Sequence, residues 1–425
     1  DTDADTDTDV DTDTDTDVDT DTDVDTDTDT DTDTGDAASP WGSRTLEEAD
    51  AWIVGTQGSS LGVGVALLEG GLSLSGERDS RASTASVLLL GANLSGRVLV
   101  DDVDPQRILG DFPFGGSLAS GDVDGDGLEE VVAGDVPRVR VLEGTETSSE
   151  QALVLEGGGS STFGTRALAE DVTGDSVADV VVGDLGGTSS PCGARVFSGT
   201  PLALVTVIEG PLESGCGYAL ATVDLDGDGS SDLVLGAYGA EGGRGAVYGV
   251  FGPLGAVDAV DLADADAVVV GEEVGDAFGV SLAGGDLDGD GAPDLLAGAS
   301  NTGEALVLSG PLVGWIPAEN AEVRLVGTSA GDGTGWRVAV ADLGGDGDAV
   351  LDAVVTASSQ VSLVRGPLMA SVLLAEEADG TLSGGTVEAL DARDVDGDGC
   401  LDLLLGVPAS EGGVGGAALL LGGPE

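Results

Sequence analysis

Short apolar segments, separated by glycine, aspartate and proline, dominate the chain from about residue 59 to its end. In one stretch, VSLAGG precedes an acidic loop, DLLAGAS follows the loop, ALVLSGP comes after a glycine-rich turn, and AEVRLVGT completes the set. The segments have the length and the valine and leucine content of strands, and their apolar residues show no helical spacing. Four such segments in a row predict a four-stranded antiparallel β unit.

The acidic loop recurs six times. Its copies begin at Asp122, Asp171, Asp224, Asp286, Asp342 and Asp394, and they are 49, 53, 62, 56 and 52 residues apart. A period near 50 residues indicates a repeat architecture. Four-stranded units that repeat radially make a β-propeller.

A seventh, degenerate copy is predicted near the N-terminus. Residues 59–71 match the first strand, residues 85–100 match the second and third strands, and the loop between these two segments has no aspartate cluster. We therefore expect an all-β fold, a seven-bladed β-propeller of four-stranded antiparallel blades over residues 37–425. The last copy ends after its third strand, so residues 51–54 are expected to supply its fourth strand and to close the ring.

Residues 1–36 form a separate low-complexity segment. Every odd position from Asp1 to Asp33 is aspartate, and with Asp36 the segment carries 17 + 1 = 18 negative charges and no positive one. We expect this tail to be disordered because its charges repel one another. It is interpreted as a solvated spacer, with a weak calcium buffer or a glycosylated threonine stalk as alternatives. Because the chain begins without methionine, an upstream signal peptide or lipid anchor is expected.

The spacing within the acidic loops predicts calcium. In the pattern D-x-D-x-D-G-x-x-D, positions 1, 3, 5 and 9 supply carboxylates and position 7 supplies a backbone carbonyl. Six to eight oxygens suit calcium better than the smaller octahedral shell of magnesium. An EF-hand is excluded because it requires glutamate at position 12, where four of these loops have Ala133, Leu235, Ala297 and Leu405.

Three loops carry the complete pattern of predicted ligands, and the Asp122 loop, which has Glu130 at position 9, is expected to bind as well. These ligands are Asp122, Asp124, Asp126, Leu128 and Glu130; Asp224, Asp226, Asp228, Ser230 and Asp232; Asp286, Asp288, Asp290, Ala292 and Asp294; and Asp394, Asp396, Asp398, Cys400 and Asp402. Two loops depart from the pattern, and their candidate ligands are Asp171, Thr173, Asp175 and Asp179, and Asp342, Asp346 and Asp352. We expect about four bound calcium ions, and up to six if the incomplete loops also bind.

The repeat resembles the FG-GAP repeat of the integrin alpha-subunit propeller. The motifs that carry the resemblance are a Phe-Gly pair, as at Phe278-Gly279, then the acidic loop, then a Gly-Ala-Pro-like turn, here GASN from Gly298 or GVPAS from Gly406. The resemblance covers residues 49–425. It implies structural calcium ions in the hairpins between the first two strands, and a partner-binding surface on the opposite face.

Composition limits the chemistry. The chain has no histidine, its formal net charge is −66, and all its basic residues are arginine. Catalysis by a histidine base or by a lysine Schiff base is therefore excluded, and so is nucleic-acid binding driven by positive charge. Cys192 and Cys216 are predicted either to form a disulfide, which would fit an extracytoplasmic setting, or to remain buried thiols.

Three functions remain open. The first is a secreted or cell-surface module, resembling a lipoprotein, that binds a protein or glycan partner, as in cell adhesion. The second is a lyase or hydrolase that acts on polysaccharide with a bound cation as Lewis acid. The third is a purely structural surface protein. We expect the first, with no enzymatic activity.

Overall fold

The protein is described by a computed structural model. It describes residues 43–45, 49–55, 61–68, 71–75, 84–91, 94–103, 105–111, 114–143, 149–157, 160–255, 259–342, 350–396, 400–408 and 415–422. The predicted tail of residues 1–36 lies outside these ranges. All of the described residues belong to one compact unit, Ala38–Glu425.

The described residues form seven β-sheets, and six of them are built on the acidic-loop repeat. We call these six sheets loop blades and name each by the first aspartate of its loop. In each loop blade the acidic loop joins the innermost strand to the second strand.

Each loop blade begins with its innermost strand at the centre of the ring and extends outwards. In that order, the Asp122 blade contains β8 (Leu118–Gly121), β9 (Glu130–Asp135), β10 (Arg138–Leu142) and β11 (Leu153–Glu156). The Asp171 blade contains β12 (Phe163–Glu170), β13 (Asp179–Asp184), β14 (Gly193–Ser198), β15 (Ala203–Glu209) and β19 (Ala259–Asp261). The Asp224 blade contains β16 (Ala219–Val223), β17 (Asp232–Ala237), β18 (Ala246–Val250), β20 (Ala267–Val270) and β24 (Gly314–Pro317).

The other three loop blades follow the same order. The Asp286 blade contains β21 (Phe278–Gly285), β22 (Asp294–Ala299), β23 (Glu304–Leu308), β25 (Val323–Val326) and β29 (Val372–Leu373). The Asp342 blade contains β26 (Val338–Ala341), β27 (Asp352–Thr356), β28 (Gln360–Val364), β30 (Gly380–Ser383) and β1 (Ser43–Thr45). The Asp394 blade contains β31 (Ala389–Arg393), β32 (Asp402–Val407), β33 (Gly416–Leu420), β2 (Ala51–Val54) and β6 (Gly96–Leu99).

The remaining sheet, which we call the N-terminal sheet, has no acidic loop. It contains β3 (Val65–Leu68), β4 (Gly71–Ser75), β5 (Thr84–Gly91) and β7 (Gln106–Asp111). Short helical turns lie between strands at Val100–Asp102, Ser149–Gln151, Ala240–Gly243, Leu262–Asp264, Ala318–Asn320 and Leu374–Glu377. No helix among the described residues is both long enough and apolar enough to span a membrane.

The prediction of a seven-bladed propeller of four-stranded antiparallel blades is wrong, because the described residues form six blades on the acidic-loop repeat and one further sheet, the N-terminal sheet, that is not a copy of it. The predicted seventh copy is misaligned, because its second strand is β4 and its third strand is β5, whereas β6 belongs to the Asp394 blade. Five blades also carry a fifth strand, which pairs in parallel with the fourth strand and comes from another part of the chain.

The innermost strands of the seven sheets contact one another in a closed ring. The two ends of the ring meet in the Asp394 blade, where β2 pairs antiparallel with β33 and aligns Ala51 with Leu419. The last copy thus receives its fourth strand from the N-terminal part of the chain, and its third strand is not left as an open edge.

The core lies between neighbouring sheets. Second strands such as β17 and β22 are buried along their whole length, which explains why they are almost continuously apolar. Phe163 and Phe278 of the Phe-Gly pairs are fully buried. Gly164 has a φ of +89°, and a Cβ atom there would lie 2.3 Å from the carbonyl oxygen of Arg138 in the preceding blade. Only glycine permits this close approach between blades.

Candidate metal centres

The Asp224 loop shows how the sequence folds around its own carboxylates. Asp224 Oδ1 accepts hydrogen bonds from the backbone N–H groups of Gly227 (2.8 Å) and Asp228 (3.0 Å), and its Oδ2 accepts from that of Gly229 (2.9 Å). Gly227 and Gly229 have φ values of +80° and +88°. These conformations favour glycine and let the chain curl around the first aspartate.

In three loops the carboxylate at position 9 anchors the loop to the blade. Asp232 is buried, and its Oδ2 accepts from the N–H of Leu225 at 2.7 Å while its Oδ1 accepts from the N–H of Gly252 at 2.8 Å. The same two contacts recur at Asp294, with Leu287 and Gly310, and at Asp402, with Val395 and Gly422. A carboxylate has about four acceptor positions, so these oxygens can also bind a cation.

Four loops bring three carboxylates together. In each group the ligand atoms lie within 4.8 Å of one another, and the groups are Asp122, Asp124 and Glu130; Asp224, Asp226 and Asp232; Asp286, Asp288 and Asp290; and Asp394, Asp396 and Asp402. At this separation each pair of negative charges repels by about 3.5 kcal/mol at an effective dielectric constant of 20. The donor set is all oxygen and negatively charged, which fits a hard divalent cation.

Some predicted ligands lie outside these groups. Asp126, Asp228 and Asp294 are not in the close group of their own loop. Asp126 and Asp228 each accept from a backbone N–H two residues ahead, at 2.8 and 2.7 Å. Asp398 lies outside the described residues. Ligation by the carbonyl groups of Leu128, Ser230, Ala292 and Cys400 remains a prediction.

The electrostatics of the loops follow from burial and mutual repulsion. Burial raises the pKa of Glu130 from 4.5 to about 7, and the charges of Asp124, Asp126 and Asp122 add to this effect against a hydrogen bond from Val123. Burial likewise raises the pKa of Asp232 and of Asp402, and in both cases the aspartates at loop positions 1 and 3 add to it. A bound cation would oppose these shifts because it favours the charged form.

The Asp171 loop keeps the backbone shape but has fewer carboxylates. Asp171 still accepts from Gly174 at 2.7 Å and from Ser176 at 2.8 Å. Thr173 takes the place of the second aspartate and donates its hydroxyl to Asp179 at 3.2 Å. Ser176 has a φ of +69°, where the complete loops have glycine. Among the described side chains, those of this loop do not form a close acidic group.

The Asp342 loop is only partly described. Asp346 lies outside the described residues. Asp352 begins β27 and accepts from the N–H of Gly366 at 3.0 Å, as the position-9 aspartates do in other blades. Asp342 and Asp352 belong to no close acidic group of the described residues.

Cys192 and Cys216 form a disulfide. Cys192 precedes β14, and Cys216 lies between the Asp171 and Asp224 blades, so the bond ties the two blades together. The third cysteine, Cys400, is buried and does not take part in this disulfide.

The glycines that anchor position 9 were not predicted from the sequence. In the Asp224, Asp286 and Asp394 loops, the donors Gly252, Gly310 and Gly422 lie 20, 16 and 20 residues after the aspartates they contact. Gly252 and Gly310 directly precede a proline, and Gly422 lies two residues before one. A glycine followed within two residues by a proline therefore recurs after each of these loops, and this pattern could have identified the donors from the sequence.

Comparison with known proteins confirms the predicted repeat. The FG-GAP repeat family matches residues 217–250 and 278–308, so this chain contains FG-GAP repeats. No curated protein matches the chain. The crystal structure of BBS1N in complex with ARL6DN, soaked with lead, is similar over 89% of this chain and 98% of that chain, at 13% identity and a TM-score of 0.45.

Proposed function

We propose that this chain, a β-propeller containing FG-GAP repeats, is an extracytoplasmic binding module for a protein or glycan partner, and that calcium stabilises it. FG-GAP propellers often bind protein partners and are typically not enzymes. One observation carries the calcium part of the proposal, namely the three converging carboxylates in each of four loops.

Calcium is favoured over magnesium by the shape of the loops. Each loop offers several carboxylates held by backbone hydrogen bonds, whereas magnesium usually keeps several waters and binds one or two carboxylates. The ions would be structural, because each lies in the hairpin between an inner strand and the second strand. We propose about four ions, one in each of the four loops with three converging carboxylates.

An oxidising compartment is the proposed location. The disulfide between Cys192 and Cys216 supports secretion or display at a cell surface, because disulfides persist in such environments. The strongly acidic composition also favours solution over contact with anionic lipids. The proposed contact surface is the face opposite the calcium loops.

The test of the binding function is an array of extracellular proteins and glycans probed with the full chain, in calcium and in chelator. We expect binding to one class of partner that is lost in chelator, since the loops then lose their cations and the ring loosens. Absence of binding to every protein and every glycan of the array would contradict the proposal. Degradation of a polysaccharide by the full chain would indicate an enzyme instead.

A further inference from the structure

A cavity opens at the centre of the ring, at the ends of the inner strands that lie opposite the acidic loops. Its volume is about 190 Å³, and residues from all seven sheets line it. The residues that carry polar groups into it include Ser117, Arg166, Tyr218, Ser281, Arg337 and Glu388. The cavity therefore lies on the face that the proposed function assigns to a partner.

Two arginines meet in this cavity although the chain has only 14 basic residues against 80 acidic ones. The guanidinium of Arg166 lies 4.6 Å from the ring centroid of Tyr218, and that of Arg337 lies 4.8 Å from the ring centroid of Trp336. The two rings are 6.4 Å apart. Two neighbouring aromatic rings, tilted relative to each other, thus each hold one positive charge in the wall of the cavity.

Neither guanidinium forms a salt bridge with a carboxylate of the described residues. Arg166 donates from Nη1 to the carbonyl oxygen of Thr165 at 3.0 Å. Arg337 donates from Nε to the carbonyl oxygen of Glu388 at 2.8 Å and from Nη1 to that of Trp336 at 2.9 Å. A guanidinium has five N–H donors, so both arginines keep donors that can bind a ligand.

The two charges oppose each other. Burial, and then repulsion by Arg337, lowers the pKa of Arg166, and interactions with Tyr218 and Glu388 only partly oppose this shift. An anion placed between the guanidinium groups would reduce this repulsion. The Glu388 carboxylate lies at the edge of the cavity and accepts from Trp336 Nε1 at 3.3 Å, so the cluster of two arginines and one glutamate has a net charge of +1.

From this geometry, and building on the proposed binding function, we propose that the cavity binds a single carboxylate side chain, aspartate or glutamate, presented by a protein partner. A net charge of +1 matches one carboxylate, and the remaining Glu388 charge disfavours doubly charged phosphate groups. Arginine is suited to this task because its planar donors match the two oxygens of a carboxylate.

A peptide side chain fits this cavity better than a sugar does. Sugar recognition uses open aromatic faces, but here a guanidinium covers one face of Tyr218 and one face of Trp336. Tyr238 also packs against Tyr218 in a T-shaped arrangement, with ring centroids 5.1 Å apart. The volume of about 190 Å³ accommodates one side chain, with the partner's backbone outside the mouth.

The test is a ligand-observed NMR titration of the full chain in calcium with glutamate that is acetylated and amidated at its backbone. We expect this capped glutamate to bind at least about tenfold more tightly than capped glutamine, since a charge-assisted hydrogen bond contributes on this scale. Arg166→Gln and Arg337→Gln should each weaken the binding of capped glutamate about tenfold. The control Arg97→Gln removes an exposed arginine of β6 and should leave binding unchanged.

A fourth variant distinguishes a specific loss of binding from a loss of folding. Glu388→Gln removes the competing negative charge and should strengthen the binding of capped glutamate several-fold, an effect that misfolding cannot produce. Equal binding of capped glutamate and capped glutamine, or arginine variants that bind like the native chain, would overturn the inference. Tighter binding of glucuronate would also overturn it, in favour of a glycan. If calcium still stabilises the chain and a partner from the array still binds, such results refute carboxylate binding in the cavity but do not contradict the proposed function.

Discussion

The substitution Asp232→Asn separates the two roles of a buried loop carboxylate. Asp232 accepts from the N–H groups of Leu225 and Gly252, and it also lies within 4.8 Å of Asp224 and Asp226. Asparagine keeps the shape and one oxygen acceptor but removes the charge and one ligand oxygen. The hydrogen-bonding role and the metal-binding role therefore change by different amounts.

The expected magnitudes depend on calcium. A site that binds only the folded state contributes about 2.7 kcal/mol when calcium is at 100 times its dissociation constant, so losing the Asp224 site should cost about 2–3 kcal/mol in calcium. In chelator the variant loses one hydrogen bond, worth about 1 kcal/mol, but it also loses repulsion from two aspartates. The net change in chelator should be within about 1 kcal/mol.

The assay is denaturant unfolding of the full chain in calcium and in chelator, with Asp179→Asn as the matched control. Asp179 has the same position in the incomplete Asp171 loop and accepts from Val172 at 2.9 Å and from Thr173 at 2.8 Å. Its substitution should have the same effect in both conditions. If Asp232→Asn also destabilises equally in calcium and in chelator, the carboxylate serves the fold alone and the metal reasoning is wrong.

Three further predictions test the backbone and the charges. Gly164→Ala should destabilise by about 2–4 kcal/mol, because the new Cβ would lie 2.3 Å from a backbone oxygen at a φ of +89°; the control Gly91→Ala, where a Cβ meets nothing within 4 Å, should change stability by less than about 0.5 kcal/mol. Ser176→Gly should stabilise by about 1 kcal/mol by relieving a φ of +69°, and an unchanged or lower unfolding free energy would contradict this. The pKa of Glu130 is raised to about 7 from 4.5, so the folded state takes up this proton first and stability in chelator should rise as pH falls from about 7 towards 4.5. Glu130→Gln should reduce that rise relative to the native chain, and calcium should suppress it; identical pH profiles of variant and native chain would refute the assignment.

Much of the fold could be predicted because the same sequence pattern marks the same strands in each repeat. Six copies of one acidic loop mark the hairpin between the first and second strands, and the apolar segment after each loop marks the buried second strand, as in DLVLGA of β17. The sheet without this loop was misaligned for the same reason. Without aspartates to mark the hairpin, the short connection between β3 and β4 left no signal, and the second strand was placed too late in the sequence.

The fifth strands could not be predicted from local pattern. β19 and β24 are short segments of three and four residues that pair in parallel with a strand of another repeat. Their pairing depends on where the neighbouring blade lies. A pattern of apolar and polar residues over only three or four positions does not contain that information. The arginine cavity was missed for a similar reason, because Arg166 and Arg337 are far apart in sequence and meet only when the ring closes.

The measurement that tests the central claim most directly is the number of calcium ions bound by the full chain, together with its melting temperature in calcium, magnesium and chelator. Four loops with three converging carboxylates each predict about four bound calcium ions, a melting temperature that falls strongly in chelator, and weaker rescue by magnesium. No bound calcium and one melting temperature in all three conditions would contradict the claim that these loops are metal centres.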